Sequence, residues 1–362
     1  MVEHADFLVI DGAHGEGGGQ ILRTSLSLSV LLRRPIRIEN IRKSRKNPGL
    51  AAQHLTAVHA AASLCGAKMR GDSLGSTELE FVPTCAVEAG NYHFDVGAAR
   101  AGGSSGAATL VLQTVVLPLA GAHGRSNVVV DGGTHMSWSP PYDYLAEIWR
   151  PLLERLGVKM ALTLERAGWF PLGRGRIAAS IDGRPRLLAG GLRPLQAIDR
   201  GALGRVTGRA LAANLPEHIP QRMADRARHR LLQLGAPVAI DVIHTESACP
   251  GTGLFLTACY EGSSAGFSAL GERGKPAEAV ADEAVDALLA HDRTGASLDR
   301  HLADQALLPL ALAAGPSRFS IEAPTLHFRT NSCVIERFGI ARVVWQQPDA
   351  GLCIAAVEPR HG

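Results

Sequence analysis

The feature that most constrains this chain is a pattern that occurs three times along it. A Gly- or Ser-rich loop leads into an apolar helix, then a short alternating strand, a loop, a second helix, and a strand or hairpin. The first copy reads GGGQILRTSLSLSVLL, RPIRIENI, the loop RKSRKNP, the helix GLAAQHLTAVHAAASLC and the strands AKMRG and TELEFVP. The second reads GGSSGAATLVLQTVVLPLA, SNVVVDGG, the loop THMSWSPP, the helix YDYLAEIWRPLLERLG and the strand VKMALTLER. The third reads LDRHLADQALLPLALA, SRFSIEAP, the loop TLHFRT, a helix through SCVIERFG and the strands ARVVWQQ and LCIAAVEP. Period separates helix from strand: Leu22, Leu26 and Ser29 recur at helical spacing, whereas Ile36, Ile38 and Ile41 mostly alternate.

Between the second and third copies, Arg184 to Glu272 lacks the pattern. It carries its own strands (GRVTGRALAANL, VAIDVIHTES, GLFLTACYE) and a basic helix, QRMADRARHRLLQLG, and turn residues stand at both of its ends. The expected fold is α/β: a large domain of three sheet-and-two-helix units in pseudo-threefold arrangement, 1–183 and 273–362, interrupted by a small α/β domain, 184–272. A chain of 362 residues, 46% hydrophobic, can bury cores of that size. No run of about 18 apolar residues spans a membrane and the N-terminal stretch lacks the basic start of a signal peptide, so the cytosol is the expected compartment. The six cysteines show no C-x-x-C spacing and read as free, mostly buried thiols.

If the copies are related by approximate threefold symmetry, their equivalent loops should point toward a common centre; otherwise they are unrelated connecting loops. Those loops carry Arg42, Lys43, Arg45 and Lys46 in the first copy, His135 and Pro140 in the second, and His327 and Arg329 in the third. Guanidinium groups, imidazole and a proline wall suit a phosphorylated ligand with an aromatic base. Net charge is only +3, but Arg33–Lys46 holds seven Lys or Arg against one Glu, a patch fit for a polyanion or for a solvated loop. The motif GEGGGQ is neither G-x-G-x-x-G nor a P-loop. What it offers is close backbone approach, the N–H groups of the following helix, Arg23 three residues inside that helix, and Glu16, which can hold a Mg²⁺ bridging phosphates. A tight strand-to-helix turn is the plainer reading of such glycines.

DGAHGEGGGQILR, NPGLAAQHLTAV, LVLQTV, GGTH, HLADQALLPLALA and TLHFRTN, in this order from about Ile10 to Phe338, together resemble the RNA 3'-terminal phosphate cyclase family. The resemblance implies the threefold large domain and the small insertion. It also implies ATP-dependent conversion of an RNA 3'-phosphate end to a 2',3'-cyclic phosphate, with His327 as the nucleophile that takes AMP from ATP. By the same implication Glu16 is the metal residue, for Mg²⁺ or Mn²⁺. Arg23, Arg42, Arg45, Gln53 and His54 line the phosphate and RNA-end pocket, joined by Gln113. Asp304 and Gln305 belong to the nucleotide site, and Pro140 with Tyr144 forms one wall of the adenine slot. One departure stands out: family members carry a tyrosine three residues before this aspartate, stacked on adenine, where this chain has His301. The stretch Gly97–Gly106 is also a few positions longer than in relatives.

Two other readings compete. A cyclase-like ribosome-biogenesis protein without cyclase activity, acting as a binding or cleavage factor, would lack the nucleophile, and His327 argues against it. An enolpyruvyl transferase uses similar repeated units but gives no reason for HLADQ or TLHFRTN. Lysine-type nucleotidyl ligases would need a K-x-D-G motif, which is absent. The basic helix QRMADRARHR reads either as an RNA guide or as a solvated face.

Overall fold

A computed structural model describes residues 6–100, 103–185, 187, 191–346 and 352–360. Residues 101 and 102 of the lengthened loop, the first five residues of the opening strand segment and Gln347 of the last hairpin lie outside the described residues.

The first repeat is β1 (Leu8–Asp11), α1 (Gly19–Leu32), β2 (Ile36–Glu39), α2 (Ala52–Cys65), β3 (Lys68–Arg70) and β4 (Leu79–Val82). The second is β5 (Asn91–Asp95), α3 (Ala108–Ala120), β6 (Gly124–Gly132), then α4 (Tyr142–Tyr144) and α5 (Arg150–Leu156) joined by a π-helical segment (Leu145–Trp149), β7 (Lys159–Arg166) and β8 (Gly175–Gly183). The third opens with β9 (Gln196–Ala197). An inserted unit follows: β10 (Leu203–Ala213), α6 (His218–Leu231), β11 (Val238–His244), β12 (Gly251–Tyr260), β13 (Ser264–Leu270) and α7 (Ala277–Thr294). The third repeat then resumes with α8 (Arg300–Ala311), β14 (Ser317–Ile321), α9 (Leu326–Phe338), β15 (Ala341–Gln346) and β16 (Cys353–Pro359).

The three repeat sheets have one topology: β1-β2-β4-β3, β5-β6-β8-β7 and β9-β14-β16-β15. In each, the first strand pairs parallel with the second, and the remaining pairings are antiparallel. A parallel pair needs a helical crossover, which α1, α3 and α8 provide. These helices are apolar on nearly every face and buried accordingly, so they form the centre of the large domain. Small polar residues let α1 and α3 meet closely, as where Ser27 Oγ donates to the Thr114 carbonyl at 2.8 Å. Pro151 cannot donate to the turn before it, and a π-helical segment carries the chain up to it.

The inserted sheet runs β11-β10-β12-β13, and α6 and α7 share its separate hydrophobic cluster, from Val206 to Leu289. That packed unit starts after β9 and includes α7, so it lies later at both ends than the 184–272 expected from sequence. The physical reason is that β9 belongs to the third repeat's sheet while the apolar face of α7 covers the inserted one. The first strands of the second and third repeats, β8, and α7 were not legible as parts of the pattern. The TLHFRT segment, expected as a loop, is mostly the first turns of α9, because Thr325 caps the helix by accepting from the Phe328 N–H at 3.0 Å. All six cysteines are free, with Cys85 and Cys333 exposed rather than buried. No described helix is long and apolar enough to cross a membrane.

Candidate active site

The glycine loop meets α9 from across the molecule. Gly15 and Gly17 have φ values of +57° and +59°, a left-handed conformation that glycine adopts without strain. The turn sends the Glu16 carboxylate back over Gly18, where a Cβ would meet both carboxylate oxygens at 2.5 Å. The Glu16 N–H donates to Thr330 Oγ1 at 3.0 Å. Glu16 Oε1 accepts from Arg45, whereas the buried Oε2 lies 3.0 Å from His327 Nδ1 without hydrogen-bond alignment. His327 stands in the first turn of α9 with its side chain 48% exposed.

A second group gathers at the start of α1. His54 Nε2 and the Arg23 guanidinium close over Gly19, occupying the space a side chain there would need. His54 Nδ1 accepts from the Ala51 N–H at 3.2 Å, so its ring proton sits on Nε2 and points at the glycine loop. Burial, reinforced by Arg23 and Arg42, lowers the His54 pKa to about 3 and keeps the ring neutral. Burial also lowers Arg23 to about 10, against the pull of Asp304, and its Nη2 donates to Gln20 Oε1 at 2.7 Å. Arg42 takes up a positive φ of +54° and donates to the Gly49 carbonyl at 2.8 Å; burial lowers its pKa too.

Gln113 and Gln305 join across α3 and α8, Nε2 to Oε1 at 2.6 Å, in a cleft open to solvent that Gln20, Arg23 and Asn331 also line. Asp304 is buried beside them. Desolvation raises its pKa to about 7 against the charges of His327 and Arg23, with Asp299 adding to the rise. Gln53 is committed to a neighbouring repeat, its Oε1 accepting from the Ala107 N–H at 2.9 Å. His301 stays exposed at the start of α8, edge-on to Tyr144 at 6.4 Å between ring centroids. Desolvation, joined by Arg300 and His327 and opposed by Asp299, lowers its pKa.

Several expected residues sit elsewhere. Tyr144 is 3% exposed and donates to Asp299 Oδ1 at 2.8 Å, so it stands behind His301 instead of facing a slot; only the partly buried Pro140 remains available for a wall. His135 does not converge with the other loop residues. It is buried, stacked on Trp169 at 4.5 Å, with Nε2 2.9 Å from Asp143 Oδ2, because the inserted unit covers it. Arg329 turns toward Trp345, 5.7 Å from the ring. The sequence reading also missed supporting residues. Thr330 and Asn331 follow His327 by three and four positions, which puts them on its helical face. Asn331 Oδ1 accepts from Thr24 at 2.7 Å and its Nδ2 donates to the Asp304 carbonyl at 2.9 Å. Asp299 caps α8 by accepting from the His301 and Leu302 N–H groups, an N-cap signal visible in LDRHL.

A solved enolpyruvyl transferase, NikO from Streptomyces tendae, aligns at 18% identity and a TM-score of 0.27 over 50% of this chain and 33% of its own, too slight to bear on the competing reading. The family model for RNA 3'-terminal phosphate cyclase matches residues 14–344. Proteins named RNA 3'-terminal phosphate cyclase are similar at 56% identity in Methylococcus capsulatus, covering 98% of this chain and 96% of the relative, and at 47% in Trichormus variabilis, covering 96% and 98%. One from Pyrobaculum aerophilum is 42% identical over 91% of this chain and 92% of its own. With the match running from the glycine loop through the α9 histidine, the chain belongs to the RNA 3'-terminal phosphate cyclase family.

Proposed function

We propose that the protein converts an RNA 3'-terminal phosphate to a 2',3'-cyclic phosphate at the expense of ATP, with His327 as the covalent acceptor of AMP. The observation that carries this is the half-exposed His327 ring whose Nδ1 faces the Glu16 carboxylate at 3.0 Å. A carboxylate on that side favours the proton on Nδ1 and leaves the Nε2 lone pair for attack.

In the first step Nε2 bonds to the α-phosphorus of ATP and the bond to pyrophosphate breaks. An oxygen of the RNA 3'-phosphate then attacks that phosphorus, the P–N bond breaks, and His327 is freed as the RNA end becomes an adenylated diphosphate. The neighbouring 2'-hydroxyl attacks the RNA phosphorus, losing its proton to solvent, and AMP leaves as the cycle closes. Arg23, the neutral His54 Nε2–H and the first N–H groups of α1 surround one point above Gly19, where they stabilise growing phosphoryl charge. Asp304, Gln113 and Gln305 would line the nucleotide end. Arg42 and Arg45 would hold the RNA phosphate. Gln53 would brace the pocket through its free amide.

A divalent cation, Mg²⁺ or Mn²⁺, fits only in part: no cluster of three ligating side chains occurs among the described residues, but the orphaned Glu16 Oε2 suits a hard cation shared with phosphates. When bound there it would neutralise triphosphate charge.

Incubation with α-labelled ATP tests the reading. The parent should retain acid-labile, hydroxylamine-stable label, and His327→Ala should fold but take no label and cyclise no RNA. Label on His327→Ala would sink the assignment; His54 cannot substitute, because its Nδ1 is engaged and its Nε2 carries the proton.

A further inference from the structure

We propose that Trp138 and Phe170 form a stacking platform for the single-stranded RNA nucleotides that precede the 3'-phosphate, an inference that rests on the cyclase reading above. Trp138 is fully exposed at 101% and Phe170 is 73% exposed. Leu74, Leu172 and Ile198 are exposed as well, so most of the large apolar side chains exposed among the described residues lie in loops or tips.

Topology places equivalent loops at the end of the second strand of each repeat, and the first and third of them border the candidate site. In each repeat the second strand passes into a loop that feeds the second helix: residues 40–51, 133–141 and 322–325. The first loop carries Arg42 and Arg45, and the third ends at Thr325, two residues before His327 in the first turn of α9. The second carries Trp138. Hairpin tips flank these loops in the same way in the first two repeats: the Ile41 N–H donates to the Thr77 carbonyl at 2.8 Å, and the Thr134 N–H donates to the Gly168 carbonyl at 2.9 Å. The hairpin tip that carries Phe170 and Leu172 therefore lies beside the loop that carries Trp138. Gly173 fixes it there, since a Cβ on that residue would meet the Ser105 Cα at 2.9 Å. Downstream of Trp138, α4 brings Tyr144 to Asp299 and His301, which connects the platform to the nucleotide end of the site.

Two further observations favour a nucleic-acid occupant. Trp138 has φ of +66°, a costly conformation for a bulky residue, and it holds the indole clear of the protein where burial would contribute stability. Arg166 and Arg174 sit at the base of the same hairpin, both exposed; Arg166 Nε donates to the Arg174 carbonyl at 2.6 Å, and neither has an acidic partner within ion-pair distance among the described residues. Exposed rings beside unpaired guanidinium groups match single-stranded RNA, whose bases stack without regard to sequence while its phosphates find cations.

The test is fluorescence anisotropy at fixed salt with a 5'-labelled single-stranded oligoribonucleotide of about six nucleotides ending in a 3'-phosphate, within the usual reach of such sites. Trp138→Ala should weaken binding by about 10-fold and Phe170→Ala by about 5-fold, whereas Trp138→Phe should stay within about 3-fold of the parent. Labelling of His327 by ATP, and inhibition by a nucleoside 3'-phosphate too short to reach the platform, should not change in any variant. Equal oligonucleotide affinity in Trp138→Ala and the parent overturns the proposal. So does an equal loss for the mononucleotide, or a change of oligomeric state by sedimentation with RNA affinity intact, which would assign the patch to a protein interface. If the parent takes no label from ATP while RNA affinity still depends on Trp138, the histidine-AMP reading fails and the platform stands.

Discussion

His301 stands where the resemblance implies a tyrosine; its ring can carry a proton, and desolvation holds its pKa below the ordinary 6.5. If His301 borders the nucleotide, as the resemblance implies, ATP affinity should vary with pH only below about 6.5, where the imidazolium would form. His301→Tyr should lower the ATP KM a few-fold, consistent with about 0.5–1.5 kcal/mol for an aromatic pair, and should remove the acidic part of the KM profile. Identical profiles for parent and variant would detach His301 from the nucleotide. Asp304 makes the opposite case. Its pKa of about 7 against 3.8 in the unfolded chain means that the native state keeps this proton through that window. Its contribution to stability therefore falls as pH rises from about 4 to about 7 and is constant above. Asp304→Asn should accordingly unfold at a higher temperature than the parent at pH 8, by about 1–4 kcal/mol of stability, and show no gain at pH 4. Thermal melts at the two pH values decide it; a gain of equal size at both would place the carboxyl in a polar setting.

At the scale of elements, the basic helix α6 resolves one alternative left open by its sequence. Arg222 pairs with Glu278 through two bonds of 2.7 Å, Arg226 with Asp282 at 2.8 and 3.1 Å, and Arg230 with Asp282 and Asp286. Both stripes repeat every four residues, so two adjacent helices present matched rows. The arginines are engaged within the protein, which favours the solvated face over the RNA guide. Arg226→Ala and Arg230→Ala should leave the salt dependence of RNA binding unchanged in a filter-binding titration; a slope smaller by about 1 for either would mean a phosphate contact instead. The basic stripe was readable in α6, but its partner was not, because the acidic helix α7 lay beyond the expected boundary.

The inserted unit matters to the whole molecule through its contacts with the second and third repeats. Arg209 of β10 reaches Asp143 and Glu147 at 3.0 and 2.9 Å. The Gly266 N–H of β13 donates to Asp299 Oδ2 at 3.2 Å, the same carboxylate that caps α8 and accepts from Tyr144. The strand can come so close only because Gly266 has no side chain: a Cβ there would meet Ile148 at 2.6 Å and the Tyr144 ring at 2.9 Å. Gly266→Ala should cost about 1–3 kcal/mol as an overpacked contact and raise the ATP KM through the displaced α8 cap. A variant with lowered melting temperature but parental KM would separate docking from the nucleotide site.

The sequence by itself determined the repeat, because apolar period is local and survives without knowledge of neighbours. It also picked out Glu16, Arg23, His54 and His327 as candidates, since glycine runs and motif context are written along the chain. Tertiary structure decided what those residues face. Glu16 meets His327 and Thr330 from some 310 residues away, a proximity no spacing encodes. The two-residue strand β9 is too short to carry a period, and only its pairing with β14 assigns it to the third sheet. His135 and Tyr144 stand in loop and helix positions that sequence reads as open to ligand, yet Trp169 and Asp299 take them into the interior. Burial is set by which surfaces pack together, and that is a property of the assembled chain.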